Sequence, residues 1–158
     1  MVRLADLEDT DRENMLKKVP TLPRFEGRPW VRGPALNKRR VAIVSTAGLH
    51  VRRDRPFGAG NASMDYRVIP GATRASDLVM SHMSVNFDRS GFQEDWNVAF
   101  PLDRLTQLAG EGVVGSVADY HYSFMGAVSP VTKYEPKARE LAEHLRADKV
   151  DAVLLSPV

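Results

Sequence analysis

Val41-Ala42-Ile43-Val44-Ser45-Thr46-Ala47-Gly48 is the stretch on which the fold turns. It is a continuous run of small and β-branched apolar residues, the pattern of a strand covered on both faces. It closes in small residues and Gly48, followed by Leu49-His50. In open α/β sheets, ligands bind beyond the carboxyl ends of the strands. Ser45, Thr46 and His50 occupy that end of a parallel strand. No GxGxxG and no P-loop follows, so nothing points to a nucleotide.

A second run of the same kind, Val150-Asp151-Ala152-Val153-Leu154-Leu155-Ser156, lies near the other end of the chain and also reads as a buried strand. A helix precedes it: Ala138, Leu141, Ala142 and Leu145 recur at helical spacing, and Thr132 with Glu135 has the spacing of a capping box ahead of Pro136. Helix then apolar strand is half of a βαβ unit. The expected class is therefore α/β, a mostly parallel sheet with flanking helices. Pro101 opens a further helix, with Leu102, Leu105, Leu108 and Ala109 on one face and Gly110 and Gly112 at its end. Tyr66–Ile69, stopped by Pro70-Gly71, and Leu78–Met80 read as short strands, and Val113–Val117 as a weak strand or turn. Trp96 and Phe100 read as core. Ser156-Pro157-Val158 stands where a functional loop and a returning helix are expected in an α/β fold. The sheet is thus expected to be incomplete at the C-terminus, the chain being the front part of a longer domain.

Residues 1–37 read differently from 38–158. Thr10 and Glu13 suggest a capped short helix with Met15, Leu16 and Val19 on its apolar face, ended by Pro20 and Pro23. Residues 21–38 hold three prolines, two glycines and Trp30, the composition of an extended arm anchored by Trp30 on its own domain or on a neighbouring subunit.

Hydrophobic residues make up 43% and charged residues 27% of the 158, ordinary values for one globular domain. No apolar run reaches the length of a membrane span. Asp6, Glu8, Asp9 and Asp11 make the N-terminus too acidic for a signal peptide, so the expected compartment is cytoplasmic. Cysteine is absent, which excludes disulfides, thiolate metal sites and a cysteine nucleophile within these residues. His50, His82, His121 and His144 are the four histidines, and no two stand at a metal-binding spacing. The net charge is +2, yet residues 24–55 carry nine basic residues against Glu26 and Asp54, leaving the rest of the chain net acidic. Without interleaved aromatics, that block reads as a solvated face or subunit contact and not as a nucleic-acid surface.

Chemistry-bearing side chains crowd into Ser81-His82-Met83-Ser84-Val85-Asn86-Phe87-Asp88-Arg89-Ser90-Gly91-Phe92. The segment has neither a helical stripe nor strand alternation, and polar residues dense on an irregular segment are where binding and catalysis tend to sit. A second polar and aromatic segment is Ala118-Asp119-Tyr120-His121-Tyr122-Ser123-Phe124-Met125-Gly126. It reads equally well as an aromatic cluster around one hydrogen-bonded histidine. His144, beside Glu143 on the last helix, reads as solvated.

These segments, in this order, resemble the selenoprotein B family. The residues that carry the likeness are Val41–His50, Tyr66–Pro70, Ser81–Arg89, Phe100–Leu105 and His121–Gly126. That family covers the B-type subunits of glycine, sarcosine, betaine and D-proline reductases. The resemblance implies reductive cleavage of a C–N bond in a small amine or amino-acid-like substrate. It also implies a selenocysteine, or a cysteine, just beyond Val158, and an inactive polypeptide without it. It implies a partner subunit bearing a pyruvoyl group, in a homo- or hetero-oligomer. The chain itself is expected to hold no cofactor and no metal, and to bind neither nucleic acid nor membrane. Within it, His82 and His121 are the candidate acids for the leaving nitrogen. Asp88 is the candidate to orient an imidazole, and Arg89 to hold a substrate carboxylate. His50, Ser84 and Asn86 complete the candidate substrate contacts. Two other readings compete: a non-catalytic binding or assembly subunit, and a metal-dependent hydrolase or lyase built on His50, His82, His121 and Asp88. An in-frame UGA after the codon for Val158 separates the first reading from these, and stoichiometric metal would favour the last.

Overall fold

The computed structural model describes residues 3–24, 26–27, 30–58, 64–84, 87–126 and 130–158. The strands are β1 (Arg40–Ser45), β2 (Leu49–Val51), β3 (Tyr66–Pro70), β4 (Leu78–Met80), β5 (Ser116–Val117), β6 (Tyr120–Phe124) and β7 (Ala152–Ser156). The α-helices are α1 (Asp9–Lys18), α2 (Ser90–Glu94), α3 (Leu102–Gly110) and α4 (Glu135–Ala147).

The apolar run of β1 becomes the centre of the sheet. It pairs in parallel with β7 on one side and with β5 and then β6 on the other. β3 closes the far margin antiparallel to β6, with Tyr66 opposite Phe124 and Pro70 opposite Tyr120. The expected mostly parallel α/β sheet is what the chain forms. β2 and β4 make a separate antiparallel pair, His50 opposite Val79.

Each face of β1 has its own core. Ile43 and Val41 point to a cluster with Ala47, Leu49, Ile69, Trp96, Phe100, Leu102 and Leu105, so α3 covers that face with the side its leucine spacing selects. Trp96 and Phe100 belong to this core, as read from the sequence. Val44 points the other way, to Tyr66, Tyr122, Phe124 and Leu141, under α4.

Three expectations need correction. β7 is a strand but not a buried one: Leu155 is 70% exposed, and Val153 and Leu154 are also open. It lies at the sheet margin with β1 as its partner and nothing among the described residues beyond it. Both capping boxes fail. Thr10 lies inside α1, which starts at Asp9, and Thr132 lies in the 3-10 turn Val131–Tyr134 that runs into α4. Trp30 anchors nothing in its own domain, being 88% exposed, and α1 buries no residue.

Candidate functional site

Three strand ends meet on one rim of the sheet. Thr46 follows β1, Met125 and Gly126 follow β6, and Pro157 and Val158 follow β7. Thr46 N donates to Ser156 O at 3.1 Å, and Gly126 N donates to Thr46 O at 2.8 Å. Val158 N donates to Thr46 Oγ1 at 2.9 Å. A Cβ on Gly126 would stand 2.9 Å from Thr46 O and 3.0 Å from Val158 O, so only glycine lets the three segments close together. Ser45 and Ser156 hydroxyls both donate to Ala99 O, at 3.0 and 2.9 Å, and tie the same ends to the core below.

The segment Ser81–Ser84 lies along this rim. Gly48, at φ 64°, takes the left-handed turn that brings the backbone against His82, where a Cβ would lie 3.1 Å from the His82 N and Cα. Ser81 N donates to Gly48 O at 3.0 Å, and Met83 N approaches the Met125 sulfur at 3.4 Å. His82 is 5% exposed. Its Nδ1 accepts from Ser84 N at 3.2 Å, which assigns the ring proton to Nε2. Nε2 is buried with no hydrogen-bond partner among the described residues. Burial, and then the nearby Arg89 guanidinium, lower the His82 pKa below its ordinary value. Phe87 packs on the ring with centroids 5.0 Å apart.

His121 has a different position. It is fully buried on β6, edge-on to Phe100, and its Nδ1 accepts the Ile43 backbone N–H at 2.9 Å. The reason lies in the sheet. β1 pairs with β5 at Arg40 and Val41 and with β6 at Val44 and Ser45, and the chain between those strands leaves the ladder. The imidazole fills the gap for Ile43. Burial pushes its pKa from 6.5 down to about 4, against an opposing pull from Asp148. An unfolded histidine binds its proton near pH 6.5, so stability is fully present above that pH. It is lost as pH falls toward 4, by about 1.4 kcal/mol per unit and ~3 kcal/mol in all. Urea denaturation between pH 7 and 4 is expected to show this slope and the His121→Leu variant to lack it. A variant with the same slope places the pH dependence elsewhere.

The other candidates spread out. His50 is 3% exposed, with Nδ1 against Val51 O at 2.9 Å and no partner for Nε2 among the described residues. Asp88 is exposed and accepts from Ser90 N at 2.9 Å, an arrangement that starts α2 and that lowers its pKa through the Ser90 bonds. Arg89 donates from Nη2 to His82 O at 2.5 Å, so it braces the His82 backbone. Ser84 contributes its N–H to His82. Asn86 lies outside the described residues. No group of three or more His, Asp or Glu side chains among the described residues comes close enough together to hold a metal ion.

Sequence reading missed Thr46 as the group that binds Val158, and it missed Ser123, whose hydroxyl accepts from Leu49 N at 2.9 Å. It also missed the close approach at Gly126. A signal was present. In Tyr120–Phe124 the tyrosines and phenylalanine alternate with His121 and Ser123, the two-residue period of a strand.

A sheet whose polar groups gather where parallel strands end has the architecture of an α/β ligand-binding or enzyme domain. The chain belongs to the selenoprotein B family: residues 9–158 match the family described as glycine/sarcosine/betaine reductase selenoprotein B. It is 37% identical over 118 residues to the D-proline reductase subunit gamma of Acetoanaerobium sticklandii, covering 73% of this chain and 47% of that one. It is 30% identical over 124 residues to the betaine reductase complex component B subunit beta of Peptoclostridium acidaminophilum, covering 77% and 28%. With the glycine reductase complex component B subunit gamma of Symbiobacterium thermophilum it shares 27% identity over 144 residues, 87% and 32% of the two chains. The chain thus spans about half or less of the length of these relatives. No solved structure matches it significantly. No helix among the described residues is long and apolar enough to cross a membrane.

Proposed function

We propose that this chain is the front part of a selenoprotein B-type reductase subunit, and that its selenocysteine or cysteine follows Val158. The observation that carries this reading is the junction of Thr46, Gly126 and Val158 beside the His82 segment. A residue after Val158 enters the rim where parallel α/β sheets bind their ligands. Glycine, sarcosine, betaine and D-proline, the compounds in the relatives' names, are all small amino-carboxylates, and a substrate of that class is proposed here. Its C–N bond breaks as a selenolate or thiolate takes the carbon, and the departing nitrogen takes up a proton.

His82 is the proposed proton donor, with Arg89 and Ser84 holding it in place. Its Nε2–H is buried and unspent among the described residues. With a pKa below 6.5 the ring rests neutral at pH 7, and an anionic selenolate or thiolate beside it would raise that pKa and load the proton. His121 also has a buried Nε2 without a partner among the described residues, but it lies inside the sheet at 0% exposure, with its Nδ1 holding Ile43, and serves the sheet instead. The pyruvoyl group belongs, on this reading, to a partner subunit, in line with the relatives' being subunits and components of reductase complexes.

The test is the nucleotide sequence after the codon for Val158, with the mass of the native product. An in-frame UGA or a cysteine codon, followed by coding sequence, and a product heavier than 17.6 kDa are expected. A UAA or UAG at that place and a native mass of 17.6 kDa would sink the catalytic reading.

A further inference from the structure

We propose that the amino-carboxylate binds in a basic cleft at the amino end of β3, with Arg55 and Lys133 taking the carboxylate and Asp54 and Asp65 facing the ammonium or amine. The cleft has a volume of about 640 Å³. Its walls are the Asp54–Arg55 turn, the start of β3 from Asp65 to Val68, and Lys133 and Lys137 at the entrance to α4.

Its position follows from the topology. β3 runs antiparallel to β6 with Tyr66 opposite Phe124, so the amino end of β3 shares the rim where β1, β6 and β7 end. Tyr134, one residue before α4, donates its hydroxyl to Met125 O and ties the α4 side of the cleft to that rim. On the other side, Arg67 lies over the Phe57 ring at 4.5 Å, and Phe57 N donates to Ser81 Oγ at 3.1 Å. The wall residue Arg67 is thus linked to the residue next to His82 through Phe57.

The charges have distinct duties. Arg67 is 7% exposed and fully engaged: it donates to the carbonyls of Arg55, Tyr66 and Pro56 and lies within 4 Å of Asp54 and Asp65 carboxylates. Lys137 pairs with Asp65 at 3.4 Å and Glu140 at 2.8 Å. Arg55 and Lys133 are exposed, and no ion pair or side-chain hydrogen bond occupies either among the described residues. Two unspent cations in a cleft can take one carboxylate, the guanidinium by a bidentate contact. The two aspartates within the same walls offer acceptors to a positively charged nitrogen a few ångströms away. Arg89, by contrast, is already used on His82 O.

The identity of the ligand rests on the reductase reading, and the binding itself can be measured without it. Glycine is titrated into the protein at constant ionic strength and followed by amide chemical shifts, with sodium chloride as control. Saturable shifts at Arg55, Arg67 and Lys133 are expected. Arg55→Met and Lys133→Met are each expected to raise the Kd about tenfold or more, the worth of one charge-assisted contact. Lys38→Met, which removes the same charge from an exposed site elsewhere, is expected to leave it unchanged. Neither cleft variant removes an ion pair or side-chain hydrogen bond found among the described residues, so circular dichroism should match the parent. Absence of saturable binding, or an equal effect of Lys38→Met, overturns the proposal. A cleft that binds glycine in a protein with no selenocysteine or cysteine after Val158 sinks the reductase reading alone, and a selenoprotein with an empty cleft sinks only the cleft.

Discussion

Asp148→Ala is expected to cost about 3 kcal/mol, read as a fall in the urea midpoint at unchanged slope. Asp148 stands in the turn after α4. It accepts from Arg40 Nη2 at 2.5 Å and Nε at 3.1 Å, and from the backbone N–H groups of Asp119 and Tyr120 at 2.9 and 3.3 Å. One carboxylate thus joins the end of α4, the start of β1 and the break between β5 and β6. Burial pushes its pKa up, but the Arg40 guanidinium and the two N–H groups outweigh this and hold it below the usual carboxylate value. Truncation leaves three donors without their acceptor, which is why the loss exceeds that of a surface pair. Asp119→Ala is the contrast: its carboxylate reaches the same arginine at 3.1 Å but is 76% exposed, and less than about 1 kcal/mol is expected. Equal losses for the two variants would mean that Asp148 has no joining role.

On the proposed reductase reading, His82→Gln, made in a longer subunit assembled with a reductase partner, is expected to lower kcat by about 100-fold or more. The folded state should barely register it, because among the described residues the ring makes a single hydrogen bond, from Ser84 N. His121→Gln divides the two functions. It is expected to lower stability through Ile43 and to leave the chemistry of the surviving folded protein near the parent value. If His121→Gln lowers kcat and His82→Gln does not, the roles proposed for the two rings are reversed.

The sequence carried the fold where one period dominated. The unbroken apolar run of β1, the leucine spacing of α3 and the i, i+3, i+4, i+7 positions of α4 all describe elements that bury a face in the expected way. β7 has the same composition as β1, but composition reports what a strand can bury, not what lies beside it. Among the described residues β1 has strand neighbours on both sides, whereas β7 has one. The capping boxes failed for another reason. A Thr and a Glu three residues apart fit a cap only if backbone geometry starts the helix there, and the cap of α1 is Glu8, two residues before Thr10. In the site, the dense polar segment did mark the rim through His82. The sequence could not separate His82 from His121. That distinction depends on the gap between β5 and β6, a feature of sheet pairing at long range.

Among the described residues, β7 leaves an outer row of backbone N–H and C=O groups without a strand partner, flanked by Leu154 and Leu155. Such a margin is a template for any strand that meets it, including the same margin of another molecule. An open, apolar edge of this kind is the feature that promotes edge-to-edge aggregation in general. For this fold, a neighbour along β7 would at one stroke extend the sheet and remove that template.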